Sequence, residues 1–263
     1  MNPIISLKDV WLKYDSRQEW TLQGVNITIY KGEWITIIGA NGSGKSTLIR
    51  LMNGLLQPSV GEITVCGMSV SDPNNLMDIR QNVGMVFQNV ENQIVGLTVE
   101  EDTRFGLHNI GITMDEVENR CRDVWELLEI VDKKDNPSYC LSGGEKQKLA
   151  IAGILVIQPE VIIFDESTSM LDAKCTQQMH KVMYELYRKH CTIIQVTNDV
   201  EEILNCSRLV IMHKGSIRFD GPPLEATNES SIFTNCCLLP PFSVRMRDIV
   251  ANCGARWLDL VSL

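Results

Sequence analysis

The sequence contains no apolar run long enough to cross a membrane. Its longest such run, residues 149–157, stops at a Gln-Pro pair, whereas a membrane helix needs about 20 apolar residues. A lysine and an aspartate within the first ten residues would interrupt the apolar segment of a signal peptide. We therefore expect a chain that neither spans a membrane nor is exported.

Cysteine pairs and clusters of positive charge are also missing. The chain has nine cysteines, an odd number, and none of them form a CxxC pair. This pattern favours a reduced cytosolic protein over a disulfide scaffold or a zinc site. A formal net charge of -9 without a strong lysine or arginine run argues against nucleic acid as the main partner, because a phosphate backbone rewards clustered positive charge.

Short apolar runs alternate with helical patterns along the chain. Eight runs rich in valine and isoleucine predict strands, several of them buried on both faces. They cover residues 25–30, 34–38, 62–65, 83–87, 161–164, 192–196, 209–212 and 216–220. Helical patterns cover residues 44–53, 116–131 and 173–190, and the second carries one apolar stripe from Val117 to Val131. The alternation predicts an α/β fold with a central, mainly parallel sheet.

Two segments depart from this alternation. Residues 98–157 are mostly helical and predict a helical subdomain within a main domain of residues 1–222. Two prolines then precede a change of pattern, so residues 223–263 are expected to form a small C-terminal extension.

A glycine-rich motif lies between a predicted strand and a predicted helix in ITIIGANGSGKSTLI, residues 35–49. Residues 39–46 match the pattern GxxxxGK[ST], and this context is the one the motif requires. Glycines let backbone N–H groups wrap phosphates, and the helix adds its partly positive N-terminus. Lys45 is expected to reach the β- and γ-phosphates of ATP and Ser46 to hold Mg²⁺. The alternative is a plain glycine turn. The expected nucleotide-binding residues here are Gly39, Asn41, Gly42, Ser43, Gly44, Lys45, Ser46 and Thr47.

Two adjacent carboxylates follow a buried strand in VIIFDE, residues 161–166. The carboxyl ends of strands are where open α/β sheets place ligands. Asp165 is therefore expected at Mg²⁺, and Glu166 is expected to polarise the attacking water. An ordinary strand exit is the alternative.

The string LSGGEKQ, residues 141–147, is the most specific in the chain. Ser142 and Glu145 fit a helix-capping box, so a well-capped helix is one interpretation. Gly143 and Gly144, however, expose bare backbone at the helix N-terminus, which suits an anion. With the glycine-rich motif and the DE strand in this order, the string resembles the signature of ATP-binding cassette (ABC) ATPases. The resemblance covers residues 4–222.

The resemblance implies a P-loop NTPase fold of ABC type, with an antiparallel β subdomain beside the central sheet. It implies that Tyr14 stacks on adenine, although packing on the core is an alternative, and that Gln88 touches Mg²⁺ and water. In this family two cassettes meet head to tail, so each ATP lies between one P-loop and the other subunit's signature. Asp172 is then expected at the dimer interface. The residues facing the partner's ATP would be Ser142, Gly143, Gly144 and Glu145.

Residues 87–107 and 144–172 are similar to the ATPases of energy-coupling factor (ECF) transporters, which drive bacterial and archaeal uptake of vitamins and transition-metal ions. KGEWITIIG and STSMLD look closer to the first of the two paralogous ATPases of such systems. In that family a C-terminal extension helps to hold the two ATPases together. The tail agrees, because one helical face would carry Phe242, Met246, Ile249, Cys253 and Trp257.

This narrower resemblance implies a peripheral protein on the cytoplasmic face of a bacterial or archaeal cell membrane. Its partners would be a second ABC ATPase, a transmembrane coupling protein and a substrate-binding membrane protein. A paralogous second ATPase is favoured, and a homodimer stays open. Whether the cargo is a vitamin or a metal ion also stays open.

One position departs from the family pattern. In QVTND, residues 195–199, Asn198 occupies the place of a histidine that contacts the γ-phosphate. His190 cannot replace it, because a strand of about 20 Å separates the two. An amide can donate one hydrogen bond but cannot become cationic, so we expect a site that binds ATP and dimerises but hydrolyses slowly. The alternative is that loop shape brings Asn198 into the same contact with little penalty.

Two other functions are alternatives to a transport ATPase. A soluble ABC ATPase acting on DNA or ribosomes would need a long coiled-coil insertion or two cassettes, and the chain has neither. A catalytically weak, mainly structural subunit is suggested by Asn198. The presence of Glu166, Gln88 and Asp172 argues against it.

Overall fold

The computed structural model of the protein describes residues 2–15, 19–107, 110–169 and 171–253. The strands are β1 (Pro3–Leu12), β2 (Leu22–Tyr30), β3 (Trp34–Gly39), β4 (Val60–Val65), β5 (Met68–Ser69), β6 (Val83–Val86), β7 (Val161–Asp165), β8 (Thr192–Val196), β9 (Arg208–His213) and β10 (Ser216–Gly221). The α-helices are α1 (Lys45–Met52), α2 (Leu76–Asn82), α3 (Val99–Phe105), α4 (Met114–Leu127), α5 (Gly143–Leu155), α6 (Ala173–Arg188), α7 (Pro223–Asn228), α8 (Ser231–Asn235) and α9 (Phe242–Cys253).

The strands form two sheets. The six-stranded sheet has the order β10-β9-β3-β8-β7-β6 and is parallel except for the β9–β10 pair. Strands β3, β7 and β8 are buried along their whole length, which is why their sequences lack polar alternation. The four-stranded sheet, in the order β2-β1-β4-β5, is antiparallel throughout. The predicted α/β class with a mainly parallel central sheet is confirmed.

Side chains from the two faces of the central sheet enter separate cores. Ile35 and Ile37 of β3 face a core shared with β1, β2, β4 and α1. Trp34 of β3 and Phe164 of β7 face the opposite core, which contains the apolar sides of α4, α5 and α6. Because β6, β7, β8 and β3 run parallel, their carboxyl ends meet at one edge of the sheet.

The structure corrects the end of one predicted helix and contains several elements that were not predicted, β1 among them. The helix predicted for residues 116–131 ends at Leu127, because Glu129 adopts a left-handed backbone with φ of +56°. Val131 therefore leaves the apolar stripe and is 47% exposed. Strand β1 was not predicted, since register shifts and a positive φ at Asp9 disturb its period-two pattern. Helices α3, α4 and α5 fall within residues 98–157, and the domain boundaries stay a prediction.

A buried carboxylate ties together the chain segments that follow β7 and β8. Glu202 is 5% exposed and accepts hydrogen bonds from Thr168 Oγ1 at 2.8 Å, Gln195 Nε2 at 2.9 Å and His180 Nε2 at 3.1 Å. Burial raises the pKa of Glu202, but hydrogen bonds from His180, Thr197 and Thr168 outweigh it and lower the pKa below its ordinary value. The ionised carboxylate thus stabilises the fold.

We expect Glu202→Gln to lower the free energy of unfolding by about 1–3 kcal/mol at pH 7, because an amide group would leave a buried donor without an acceptor. The folded-state pKa lies below the unfolded one, so the carboxylate's contribution is complete above the unfolded value of about 4.3 and is lost as pH falls through the folded value. Urea unfolding of both proteins from pH 7 to 3 measures this. The difference should shrink on acidification, while Glu126→Gln, on an exposed face of α4, should change little. A difference independent of pH would contradict the assignment.

Candidate nucleotide-binding site

The glycine-rich loop connects the carboxyl end of β3 to the first residue of α1. Gly42 and Gly44 have φ angles of +79° and +104°, which L side chains rarely adopt. A Cβ atom on Gly44 would also lie 2.8 Å from Leu22 Cδ2. Gly44 is the N-cap of α1, and no side chain described in the structure caps that end. The first N–H groups of α1 therefore suit an anionic ligand.

A cavity of about 700 Å³ opens over this loop. Eleven of the residues that line it were predicted from the sequence: Tyr14, Asn41, Gly42, Ser43, Gly44, Lys45, Ser46, Thr47, Gln88, Glu166 and Asn198. Thr21 and Arg50 also line the cavity and were not predicted. Arg50 could have been found, since it lies one helical turn after Ser46 on the same face of α1. Thr21 carries no such local signal.

Lys45 is the buried cation of the site, at 5% exposure. Its Nζ donates to the carbonyl oxygen of Gly39 at 2.7 Å and to Oδ1 of Asn198 at 2.8 Å. Burial lowers the pKa of Lys45, and the charges of Glu166 and Asp165 oppose that shift. The ammonium group is therefore held among oxygen atoms at the floor of the cavity.

The two carboxylates predicted after β7 lie beside the lysine. Asp165 is buried, and burial together with the charge of Glu166 raises its pKa, while Arg50 opposes the shift. Ser46 Oγ donates to Asp165 Oδ1 at 3.4 Å. Glu166 has a φ of +49°, a strained value for a residue with a side chain. Such strain is concentrated at functional sites, where the surrounding structure maintains it.

Asn198 and Gln88 both contact the carboxylate of Glu166. Asn198 Nδ2 donates to Glu166 Oε1 at 2.6 Å, and Gln88 Nε2 donates to Glu166 Oε2 at 3.0 Å. Asn198 therefore bridges Lys45 and Glu166, whereas its neighbours Thr197 and Asp199 hydrogen-bond backbone N–H groups of the following turn. The polar end of β8 thus combines a site residue with ordinary turn residues.

Tyr14 lies at the other end of the cavity. Its hydroxyl is 3.1 Å from Oγ1 of Thr47, and its ring packs against the core between the sheets. It therefore both lines the cavity and packs on the core. Stacking on adenine and simple core packing are both compatible with this position.

The signature residues do not line this cavity. Ser142 caps α5, because its Oγ accepts from the N–H of Glu145 at 3.4 Å. In return, Oε2 of Glu145 accepts from the N–H of Ser142 at 2.8 Å, which completes the predicted capping box. Ser142 and Gly143 are exposed. Asp172 caps α6 by accepting from Cys175 N at 2.7 Å, which lowers the pKa of Asp172. The signature residues and Asp172 therefore lie apart from the P-loop cavity.

The signature loop and the N-terminus of α6 are in contact at one point. A Cβ atom added to Gly144 would lie 2.7 Å from Sγ of Cys175, whereas one added to Gly143 would meet nothing within 4 Å. An alanine at position 144 would therefore force the Cys175 side chain to shift within the same chain. No such conflict arises at position 143.

A sequence model of the ABC transporter family matches residues 22–169. The dimeric ATP-binding cassette MJ0796, solved in a post-hydrolysis state bound to ADP and Pi, superposes on 83% of the chain and 98% of that structure at 27% identity and a TM-score of 0.75. The fold and the P-loop site therefore define this protein as an ABC-type ATPase, a class whose cassettes bind ATP.

Relatives that match almost the whole chain identify the family within this class. The energy-coupling factor transporter ATP-binding protein EcfA1 of Clostridium novyi (strain NT) is 40% identical over 95% of the chain and 91% of the relative. EcfA of Enterococcus faecium is 40% identical over 97% of the chain and 91% of the relative. The structure of cbiO1 from Clostridium perfringens, described as part of the ABC transporter complex cbiONQ, covers 94% of the chain and 100% of that structure at 32% identity and a TM-score of 0.82. The chain belongs to the family of energy-coupling factor transporter ATP-binding proteins.

We expect Gly144→Ala to lower the melting temperature of the purified protein by several degrees, because its Cβ would overlap the Cys175 sulfur. Adding Cys175→Ala should restore most of the loss. Gly143→Ala is the matched control and should leave the melting temperature near that of the wild type. Equal destabilisation by the two glycine variants would contradict this packing argument.

Proposed function

We propose that this protein is the ATP-binding and ATP-hydrolysing subunit of an ECF-type transporter that powers uptake of a vitamin or a transition-metal ion through separate membrane subunits. The family membership supports the transporter. The observation that carries this proposal is that Lys45, Glu166 and Gln88 line one cavity. The buried Asp165 lies next to that cavity, where it accepts a hydrogen bond from Ser46. These groups suit binding of a triphosphate and activation of a water molecule.

Each group of the P-loop half-site has a distinct role in this proposal. Lys45 and the backbone N–H groups of the loop bind the phosphates, and Glu166 accepts a proton from the attacking water. Gln88 orients Glu166 and that water. Mg²⁺ would neutralise phosphate charge when bound, and the oxygen atoms of Ser46, Asp165 and Gln88 suit a hard cation that keeps several water ligands. The raised pKa of Asp165 fits this role, since a cation beside it would favour the ionised carboxylate.

A second cassette completes the site in this proposal. The exposed Ser142 and Gly143 offer hydroxyl and backbone groups at a helix N-terminus, which suit the partner's ATP. Asp172 lies at the same outer surface and is proposed as a dimer-interface residue. Helix α9 supports association, because Phe242, Met246 and Ile249 lie on one face and are 59%, 43% and 50% exposed. The predicted face also includes Cys253, whose side chain is not described, and Trp257, outside the described residues.

Two adjoining grooves on the surface are candidates for contact with the membrane subunits. Cavities of about 200 and 210 Å³ share Ile154 and Ile157 of the segment that ends α5. Around them Val95, Phe105 and Leu55 are 60%, 56% and 42% exposed. We propose that a cytoplasmic segment of the transmembrane coupling protein docks here, next to the loop that carries Gln88. No helix among the described residues is long and apolar enough to span a bilayer. In this proposal the docked segment holds the protein at the cytoplasmic face of the membrane.

Purification of the tagged chain from membranes tests the proposal. A second ATP-binding cassette and a multi-span membrane protein are expected to co-purify with it. Phe105→Glu should reduce recovery of the membrane protein at least tenfold, because it places a charge in the groove. Tyr184→Glu, on the exposed surface of α6 (52% exposed), is the matched control. Recovery of nucleic acid or ribosomes instead would contradict the transporter assignment.

Asn198 motivates a second candidate, a subunit that binds ATP and closes the dimer but hydrolyses slowly. The amide group accepts from Lys45 and donates to Glu166, so it joins the cation to the general base. One N–H of the Asn198 amide is thus committed to Glu166, and the second N–H is its remaining donor for a phosphate oxygen. The alternative, in which Asn198 contacts the γ-phosphate with little penalty, requires this second N–H to reach the phosphate when ATP binds.

We expect Asn198→His to raise kcat of the assembled complex by about tenfold, since one donor to the developing charge is worth about 10²–10³ and the amide supplies part of it. Asn198→Ala should lower kcat, because both contacts with Lys45 and Glu166 are lost. The Kd for ATP should change less than kcat in both variants. Steady-state ATPase assays and nucleotide titrations measure these effects. An unchanged kcat in Asn198→His would favour the alternative.

A further inference from the structure

Gln93, on the loop that follows β6, hydrogen-bonds the backbone of that strand's end. Its Oε1 accepts from the N–H of Phe87 at 3.2 Å, and its Nε2 donates to the carbonyl oxygen of Met85 at 3.2 Å. Strand β6 is the terminal strand of the six-stranded sheet and pairs with β7 through residues 83–86. Gln93 therefore occupies the edge of β6 that no described strand covers.

The two backbone groups are those that a further parallel strand would use. In a parallel ladder, one residue of the neighbouring strand makes both bonds. Its N–H donates to the carbonyl oxygen of residue i−1, and its carbonyl oxygen accepts from the N–H of residue i+1. The amide of Gln93 donates to Met85 and accepts from Phe87, which flank Val86. The Gln93 side chain thus makes the two hydrogen bonds that the backbone of a further parallel strand would make at this edge.

We propose that Gln93 is a positioning residue for Gln88. Phe87 directly precedes Gln88 in the chain. A fixed backbone at Phe87 therefore fixes the position from which the Gln88 side chain extends. Nε2 of Gln88 lies 3.0 Å from Oε2 of Glu166. The loop between the two glutamines is fixed further by an Asn89 cap on the N–H of Glu91 at 3.1 Å and by a 2.5 Å ion pair between Glu91 and Lys146 of α5. Gln93 closes this loop at its far end.

Substitution of Gln93 should lower the rate of ATP hydrolysis more than it lowers the stability of the fold. Gln93 is only half-buried, so water can satisfy the backbone groups of Met85 and Phe87 when the amide is removed. A water molecule would not hold these backbone groups in one orientation as the Gln93 side chain does. A displacement of about 1 Å in a catalytic group costs about 10²-fold in rate, whereas the phosphate contacts of Lys45 are untouched.

The test compares Gln93→Met with wild type in the purified complex of the chain and its partner subunits. We expect kcat for ATP hydrolysis to fall at least tenfold and KM for ATP to change less than about threefold. In a Gln88→Ala background the same substitution should change kcat less than about twofold, because positioning residues act only through the group they position. Gln57→Met is the matched control, since Gln57 Nε2 also donates to a backbone carbonyl, that of Val70, at 2.7 Å.

Hydrogen exchange gives a readout that does not require catalysis. The Phe87 amide should exchange faster in Gln93→Met than in wild type, and Gln57→Met should leave it unchanged. Unchanged exchange would show that Phe87 does not donate to Gln93 in solution and would overturn the inference. Faster exchange with unchanged kcat, or additive losses in the double variant, would overturn the positioning role. The positioning role rests only on the ATPase part of the proposed function. If the chain hydrolyses ATP but binds no membrane subunits, the transporter proposal is contradicted, and the same variants are then compared in the chain as purified.

Discussion

The buried ammonium group of Lys45 is the constraint on which the rest of the site depends. A charge removed from water is costly unless oxygen atoms surround it, and here they come from the P-loop carbonyl of Gly39, from Asn198 after β8 and, at longer range, from the carboxylates of Asp165 and Glu166. Three segments far apart in sequence must therefore end at one place. The parallel order of β3, β8 and β7 meets this requirement.

The proposal that a second cassette completes the site agrees with this arrangement. The groups that surround the Lys45 ammonium lie at the carboxyl edge of the central sheet. The signature loop and several apolar side chains of α9 lie on the outer surface. Exposed apolar surface and an exposed helix N-terminus gain most from contacts with other molecules. Under the proposed function these surfaces share one explanation, namely assembly with a second cassette and with membrane subunits.

Short motifs identified most of the candidate site because their chemistry is local. The P-loop, the Asp165–Glu166 pair and the capping box of Ser142 each require particular residue types at fixed spacings, and the structure places all of them on the predicted strand ends and helix starts. Asn198 stood out as a departure from such a motif. The ends of α4 and the presence of β1 were harder to predict, since a single left-handed residue and several register shifts decided them.

Local sequence therefore determined the fold class, the phosphate loop and the family, because strand and helix periodicities and motif spacings act over a few residues. Tertiary structure decided which side chains support the site. Glu202 collects donors from three elements, Gln93 completes the edge of β6, and Asn198 bridges Lys45 and Glu166. None of these contacts has a characteristic spacing in sequence. They exist because strand order and helix packing bring distant segments within hydrogen-bonding distance.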